Sequence, residues 1–171
     1  MKERPIIFSG PMVRSILADQ KTQTRRVIRN PERLTWCPYG APGGGDTLWV
    51  RETWAYPRDT CSVCGDLVYG DDCRCGDCAS GPILYRATDT YDGPWKSSIH
   101  MPRWASRITL EITRVRCERL WEITEEDAIA EGFESRVAFA ACWDKLNLER
   151  GYAWAGNWWV WVITFKRMEE E

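Results

Sequence analysis

Residues 158–165, Trp-Trp-Val-Trp-Val-Ile-Thr-Phe, constrain the fold more than any other segment. Successive side chains of a strand point to opposite faces, so a run that is apolar at both parities must be covered on both sides and belongs in the middle of a sheet. Residues 107–115, Arg-Ile-Thr-Leu-Glu-Ile-Thr-Arg-Val, alternate polar and apolar instead, which is the pattern of a half-buried antiparallel strand. Shorter strands are expected over 6–8, 47–51 and 83–87. Helical signals lie between them. Ser9-Gly10-Pro11 opens a helix whose apolar face is Met12, Ile16 and Leu17 and which ends near Asp19-Gln20. Thr124, with Asp127 three residues on, caps a helix that stops at Gly132, and a longer helix over 135–148 is expected to bury Val137, Phe139, Ala141, Cys142 and Leu146. Strands with a few short helices outside them make one α+β domain over 1–171 with a mixed or barrel-like sheet.

The densest polar stretch is Lys21-Thr22-Gln23-Thr24-Arg25-Arg26. Its threonines and the following Val27-Ile28 favour an extended strand, with Thr22, Thr24 and Arg26 on one face and Lys21 at the bend before it. Six hydrogen-bonding side chains, three of them cationic, suit a polar ligand that is anionic or carries a carbonyl. The formal net charge is −2 and the pI about 5.6, so no global basic field draws the chain to nucleic acid or to an anionic membrane. Any such affinity must be local. Lys21, Arg25, Arg26, Arg29 and Arg33 stand against Glu32 alone, while acids gather at 125–127 and 169–171. No apolar run approaches the roughly 18 residues of a membrane span, and Met1-Lys2-Glu3-Arg4-Pro5 is unlike a secretory leader. A cytoplasmic chain with no membrane partner is the expectation.

That location decides how the eight cysteines are read. Between Asp59 and Ser80 the composition turns to Cys, Gly and Asp, which marks an insertion over 59–80. Within it Cys61-Ser62-Val63-Cys64 and Cys75-Gly76-Asp77-Cys78 are two C-x-x-C pairs, and Cys73 can replace Cys75. Each pair places two thiolates on one metal from a tight turn, so Cys61, Cys64, Cys75 and Cys78 are expected to hold a structural zinc with no open position. The alternative is a redox-sensitive loop of free thiols. Cys37, Cys117 and Cys142 stand apart and read as packed small hydrophobes.

Several motifs in order now carry a resemblance. The helix leading into K-T-x-T-x-R, Gly45-Asp46-Thr47-Leu48-Trp49-Val50-Arg51-Glu52, the long strand, Ile123-Thr124-Glu125-Glu126-Asp127-Ala128 and Val160-Trp161-Val162-Ile163-Thr164-Phe165-Lys166 together resemble the ASCH domain, a PUA-like β-barrel family. The likeness runs from residue 6 to residue 167, and residues 98–107 look like its phage and prophage branch. The resemblance implies recognition of RNA or a modified nucleoside. It also implies a sharper activity, removal of an acyl group from N4-acetylcytidine, with Lys21, Thr24 and Glu131 as the catalytic set. The chemistry is coherent. A threonine hydroxyl needs a base, a lysine kept neutral by burial can serve, and a glutamate can protonate the leaving amine. A non-catalytic RNA-binding module, a ribonuclease and a phage factor contacting a host protein are the competing readings. Arg26 is a candidate for orienting a phosphate or carbonyl oxygen, Arg51 and Glu52 for a ligand surface at a strand end, Trp54 for stacking on a base, and His100, the only histidine, for a polar loop site.

Overall fold

The structure is a computed structural model that describes residues 2–30, 37, 45–56 and 83–168. Among these residues seven strands and three α-helices follow one another as β1 (Glu3–Ile7), α1 (Gly10–Leu17), β2 (Gln23–Val27), β3 (Thr47–Arg51), β4 (Trp54–Ala55), β5 (Leu84–Tyr85), β6 (Thr109–Arg119), α2 (Glu125–Ala130), α3 (Arg136–Asn147) and β7 (Trp159–Arg167). Five strands form one sheet in the order β1-β3-β6-β7-β2, parallel between β1 and β3 and antiparallel elsewhere, while β4 and β5 pair separately.

The doubly apolar closing stretch is central, as its pattern requires. β7 lies between β6 and β2 and uses its two parities for two cores. Trp161, Ile163 and Phe165 pack with Val13 and Ile16 of α1, whereas Val160 and Val162 pack with Ala128 of α2 and with Phe139 and Trp143 of α3. Full burial of each such side chain stabilises the fold by about 1.5–3 kcal/mol. The alternation runs from Ile108, just before β6, through Leu110 and Ile112 within it, and a bulge between Ile112 and Arg114 resets the phase so that Val115 also enters the core. Without that extra residue Val115 would face away from it.

Thr124 caps α2 as expected, accepting from the Asp127 N–H, while the Asp127 carboxylate accepts from the Thr124 N–H. Several expectations need correction. The α+β class stands, but the described strands make a curled sheet in which β1 and β2 are the two ends, with no backbone ladder closing a barrel. The ends nevertheless approach: Arg26 Nη2 donates to the Ile7 carbonyl at 2.7 Å, a side-chain bridge across the gap. In α3 the buried pair is Phe139 and Trp143, while Val137, Ala141 and Leu146 are exposed, Val137 by 78%. Val137 lies two positions from Phe139, about 200° around the helix, so both cannot face one core. The strand expected over 83–87 is only β5, followed directly by a turn, and Thr22 is exposed just before β2 begins. The insertion over 59–80, with Cys61, Cys64, Cys73, Cys75 and Cys78, lies outside the described residues. Among the described residues no helix is long and apolar enough to cross a membrane.

Candidate functional site

Lys21 reaches its position through two chain reversals. After α1, Asp19 adopts φ 55° and the Gln20 and Lys21 N–H groups both donate to the Ser15 carbonyl, which turns the chain into β2. After α2, Gly132 turns with φ 85°, a left-handed conformation that favours glycine, and a side chain there would press on Ser15 at 3.1 Å. The Thr22 N–H donates to the Ala130 carbonyl at 2.8 Å and ties the two reversals together. Lys21 and Glu131, far apart in sequence, are thereby placed side by side.

The Lys21 ammonium donates to Glu131 Oε2 at 2.8 Å, to the Glu131 carbonyl at 2.9 Å and to the Gln23 carbonyl at 2.8 Å. All three of its N–H donors are taken. Both side chains are buried, Lys21 completely, and burial holds the lysine below its ordinary pKa, an effect that the charge and hydrogen bond of Glu131 partly offset. The neutral amine is therefore more accessible than in an exposed lysine.

Glu131 is held from its other side by Arg25, whose Nη1 lies 3.3 Å from Glu131 Oε1. Arg25 also pairs with Glu118 and, at 2.8 Å, with Asp127 Oδ2, and Arg116 bridges Glu118 Oε2 and Asp127 Oδ1, each at 2.9 Å. Gln23 completes the group, donating to Asp127 at 3.0 Å and accepting from Arg116 at 3.1 Å. Sheet register explains the assembly. Arg25 and Arg116 both stand opposite Val162, so they occupy one row across three strands, under α2 and α3. Burial alone would raise the Asp127 carboxyl, but the Gln23 hydrogen bond and the charges of Arg25 and Arg116 outweigh it and hold its pKa below the ordinary value.

A cleft of about 780 Å³ opens beside this network. It is bordered by β1 and Ser9, by β2 and its continuation through Asn30, and by α3 and the turn after it. Thr24 and Glu131 line it, and Lys21 lies behind Glu131. Thr24 is a buried residue, and its hydroxyl has no hydrogen-bond partner among the described residues. Phe139, Cys142, Trp143, Leu146, Asn147 and Arg150 form the opposite wall. These are positions i, i+3, i+4, i+7, i+8 and i+11, one helical stripe, and that periodicity was the sequence signal for a wall that motif reading did not find.

Of the other candidates, Arg26 lines the cleft, with its guanidinium 5.3 Å from the Phe8 ring centre. The remaining four are not among the residues that line it. Arg51 lies over Trp49 and donates to the Met101 carbonyl at 3.1 Å. Glu52 is buried and accepts two bonds from Arg107, at 3.0 and 3.1 Å, and burial pushes its pKa up. Trp54 is buried against Met101 and Ala105, with Trp104 edge-on at 5.9 Å, so its faces are not offered to a ligand. His100 is exposed in a single turn over Ser98–His100. Cys37 is a core residue, and Cys117 and Cys142 are half-buried. Among the described residues no cluster of side chains has the makings of a metal site.

No family model and no curated protein matches the chain. Solved structures do share its fold. An ASCH domain from Lactobacillus crispatus JV V101 superposes with a TM-score of 0.50 at 12% identity, over 97% of this chain and 79% of that one. Protein EF3133 from Enterococcus faecalis V583, of the DUF984 family, gives 0.50 at 9% identity over 98% and 80%. At such identities the likeness is one of fold: an ASCH-like α+β architecture.

Proposed function

We propose that this ASCH-like chain binds RNA or a modified nucleoside in the cleft beside β2 and, in the sharpest form of the reading, hydrolyses the acyl amide on N4 of an acylated cytidine. One observation carries it: Thr24 presents an unpartnered hydroxyl to a cleft that Glu131 also lines, and Lys21 sits on that same carboxylate. Transfer of a proton from Lys21 to Glu131 leaves a neutral amine beside a carboxylic acid, a shift that burial of the lysine favours. The amine takes the Thr24 proton as its oxygen bonds to the acyl carbon, and Glu131 protonates N4 as the C–N bond breaks, releasing cytidine. Water then adds to the threonine ester. Glu131 accepts its proton, Lys21 returns the proton it took to the Thr24 oxygen as the acyl–oxygen bond breaks, the free acid departs and the Thr24 hydroxyl is restored.

A second reading, a binding module without turnover, is favoured by the three oxygens that occupy every Lys21 donor, since such a pair suits a structural role equally well. Incubation with N4-acetylcytidine separates the two. Hydrolysis predicts cytidine and acetate from the wild type, with Thr24→Val slowed at least about 100-fold while its fold is intact. Saturable binding without product favours the module, and cleavage of labelled RNA would replace both with a ribonuclease. Retained turnover in Thr24→Val would remove the threonine from its role.

On thiol spacing alone, we also propose the structural zinc at Cys61, Cys64, Cys75 and Cys78, with Cys73 as the alternative to Cys75. Protein purified without added metal should carry about one zinc per chain. A content far below that would defeat it.

A further inference from the structure

The charge of the cleft differs from that of the chain around it. The sequence as a whole carries a formal net charge of −2, yet the charged residues lining the cleft are Arg25, Arg26, Arg29 and Arg150 against Glu131 alone. Arg25 is consumed internally by Glu118, Asp127 and Glu131, and Arg26 bridges to Ile7. Arg29 and Arg150 are different. Both are exposed, and neither has a hydrogen-bond or ion-pair partner among the described residues. They come from opposite walls, Arg29 from the segment after β2 and Arg150 from the single turn Leu148–Arg150 that extends the α3 stripe. Scattered surface arginines are solvated and need no explanation. Two unpaired guanidiniums from opposite walls border one cleft whose lining is otherwise largely apolar and includes the unpartnered Thr24 hydroxyl, so they are the groups in it free to meet an anion.

We propose that the cleft takes a phosphorylated nucleoside, with Arg29 and Arg150 holding the phosphate while the base reaches toward Thr24. The inference rests on the cleft being a nucleoside site and adds what an uncharged nucleoside would leave unused. A guanidinium is permanently charged and its donor fork matches phosphate oxygens, so the entrance would favour a nucleotide or an RNA phosphodiester over the free nucleoside by charge alone. The chemistry is shared by a terminal monophosphate and an internal phosphodiester, and the length of the bound oligomer separates them.

Trp143 and Trp161 line the cleft, so ligand entry can be followed by tryptophan fluorescence. Binding of N4-acetylcytidine, its 5′-monophosphate and a tetranucleotide containing it would be compared in the full chain carrying Thr24→Ala, which prevents turnover by the proposed route. One or both phosphorylated probes should bind at least about tenfold tighter than the nucleoside, with an advantage that shrinks as salt rises. A gain already complete with the monophosphate assigns the entrance to a terminal phosphate, and a gain confined to the tetranucleotide assigns it to RNA. In Arg29→Gln/Arg150→Gln the advantage should vanish while nucleoside affinity stays within about twofold. Equal affinity for all three probes, or an advantage that survives both substitutions, overturns the phosphate assignment and leaves the nucleoside cleft standing. Failure of every probe to bind overturns the cleft reading together with this inference.

Discussion

Two buried carboxylates, Glu131 and Glu52, look alike at first inspection. Each is almost fully removed from water and each is matched by a cation. Glu52 meets Arg107 in a two-pronged pair at the end of β3, and Arg107 continues to Thr88 and over the Tyr85 ring, so the pair fastens β5 and its turn to the main sheet. Glu131 shares its two oxygens between Lys21 and Arg25, borders a cleft and has an unpartnered hydroxyl in the same cleft. Burial with a partner is therefore common to a strut and to a candidate site. Access to a cleft and a spare reactive group distinguish the second.

Removing each carboxylate in turn separates the two. Glu131→Ala leaves Lys21 and Arg25 without that carboxylate in a dry environment, and loss of one partner from a buried pair costs about 3–5 kcal/mol. Denaturant unfolding should register that loss. Replacing both partners with apolar residues, Lys21→Met with Glu131→Leu, should cost less than Glu131→Ala alone, because no uncompensated charge remains. If the double variant is the worse of the two, the pair is a net stabiliser and its role is first of all structural.

Glu52→Ala should cost less, about 2 kcal/mol, because Arg107 keeps 25% of its side chain in water and can be resolvated when its partner is gone. Ligand binding in the cleft should be unaffected. A Glu52→Ala variant that folds but loses affinity for the nucleoside probes would erase the distinction between strut and site.

How much of this was legible in the sequence differs between the regions for a physical reason. The central strand could be read from Trp161, Val162 and Ile163, because the period of a strand is a local property. The Lys21–Glu131 meeting was reached through family resemblance, since nothing local at either residue encodes a contact 110 positions away. Arg25 stands in the sequence only as part of a cationic stretch suited to a polar ligand, and nothing local marks Glu118 as its partner or Arg116 as the second cation on the same carboxylates. Polar side chains at those positions of a half-buried strand look solvated until the register puts Arg25 and Arg116 opposite the same valine. The α3 wall was visible in principle as a stripe, but Val137 and Ala141 diluted it with apolar residues on the wrong face.

The smallest effect, and the most discriminating, is the response to acid. Asp127 in the network has a pKa held below its ordinary 3.8, while Glu52 is pushed above its ordinary 4.5. A carboxyl lowered by folding contributes stability that is present above pH 3.8 and is lost as the pH falls through its folded value. Asp127→Asn should therefore flatten the acid limb of the stability profile below that pH. For Glu52 the sign reverses: just above pH 4.5 the folded chain retains a proton that the unfolded chain has released, so stability declines as pH rises toward the raised value. Glu52→Gln should remove this decline, gaining relative to wild type across that interval, even though the loss of the charged pair with Arg107 lowers its absolute stability. Unfolding midpoints from pH 3 to pH 7 test both. If the two variants bend the profile in the same direction, the contrast fails: Asp127 would then be governed by burial, as Glu52 is, and the network around Arg25 would not be holding Asp127 ionised.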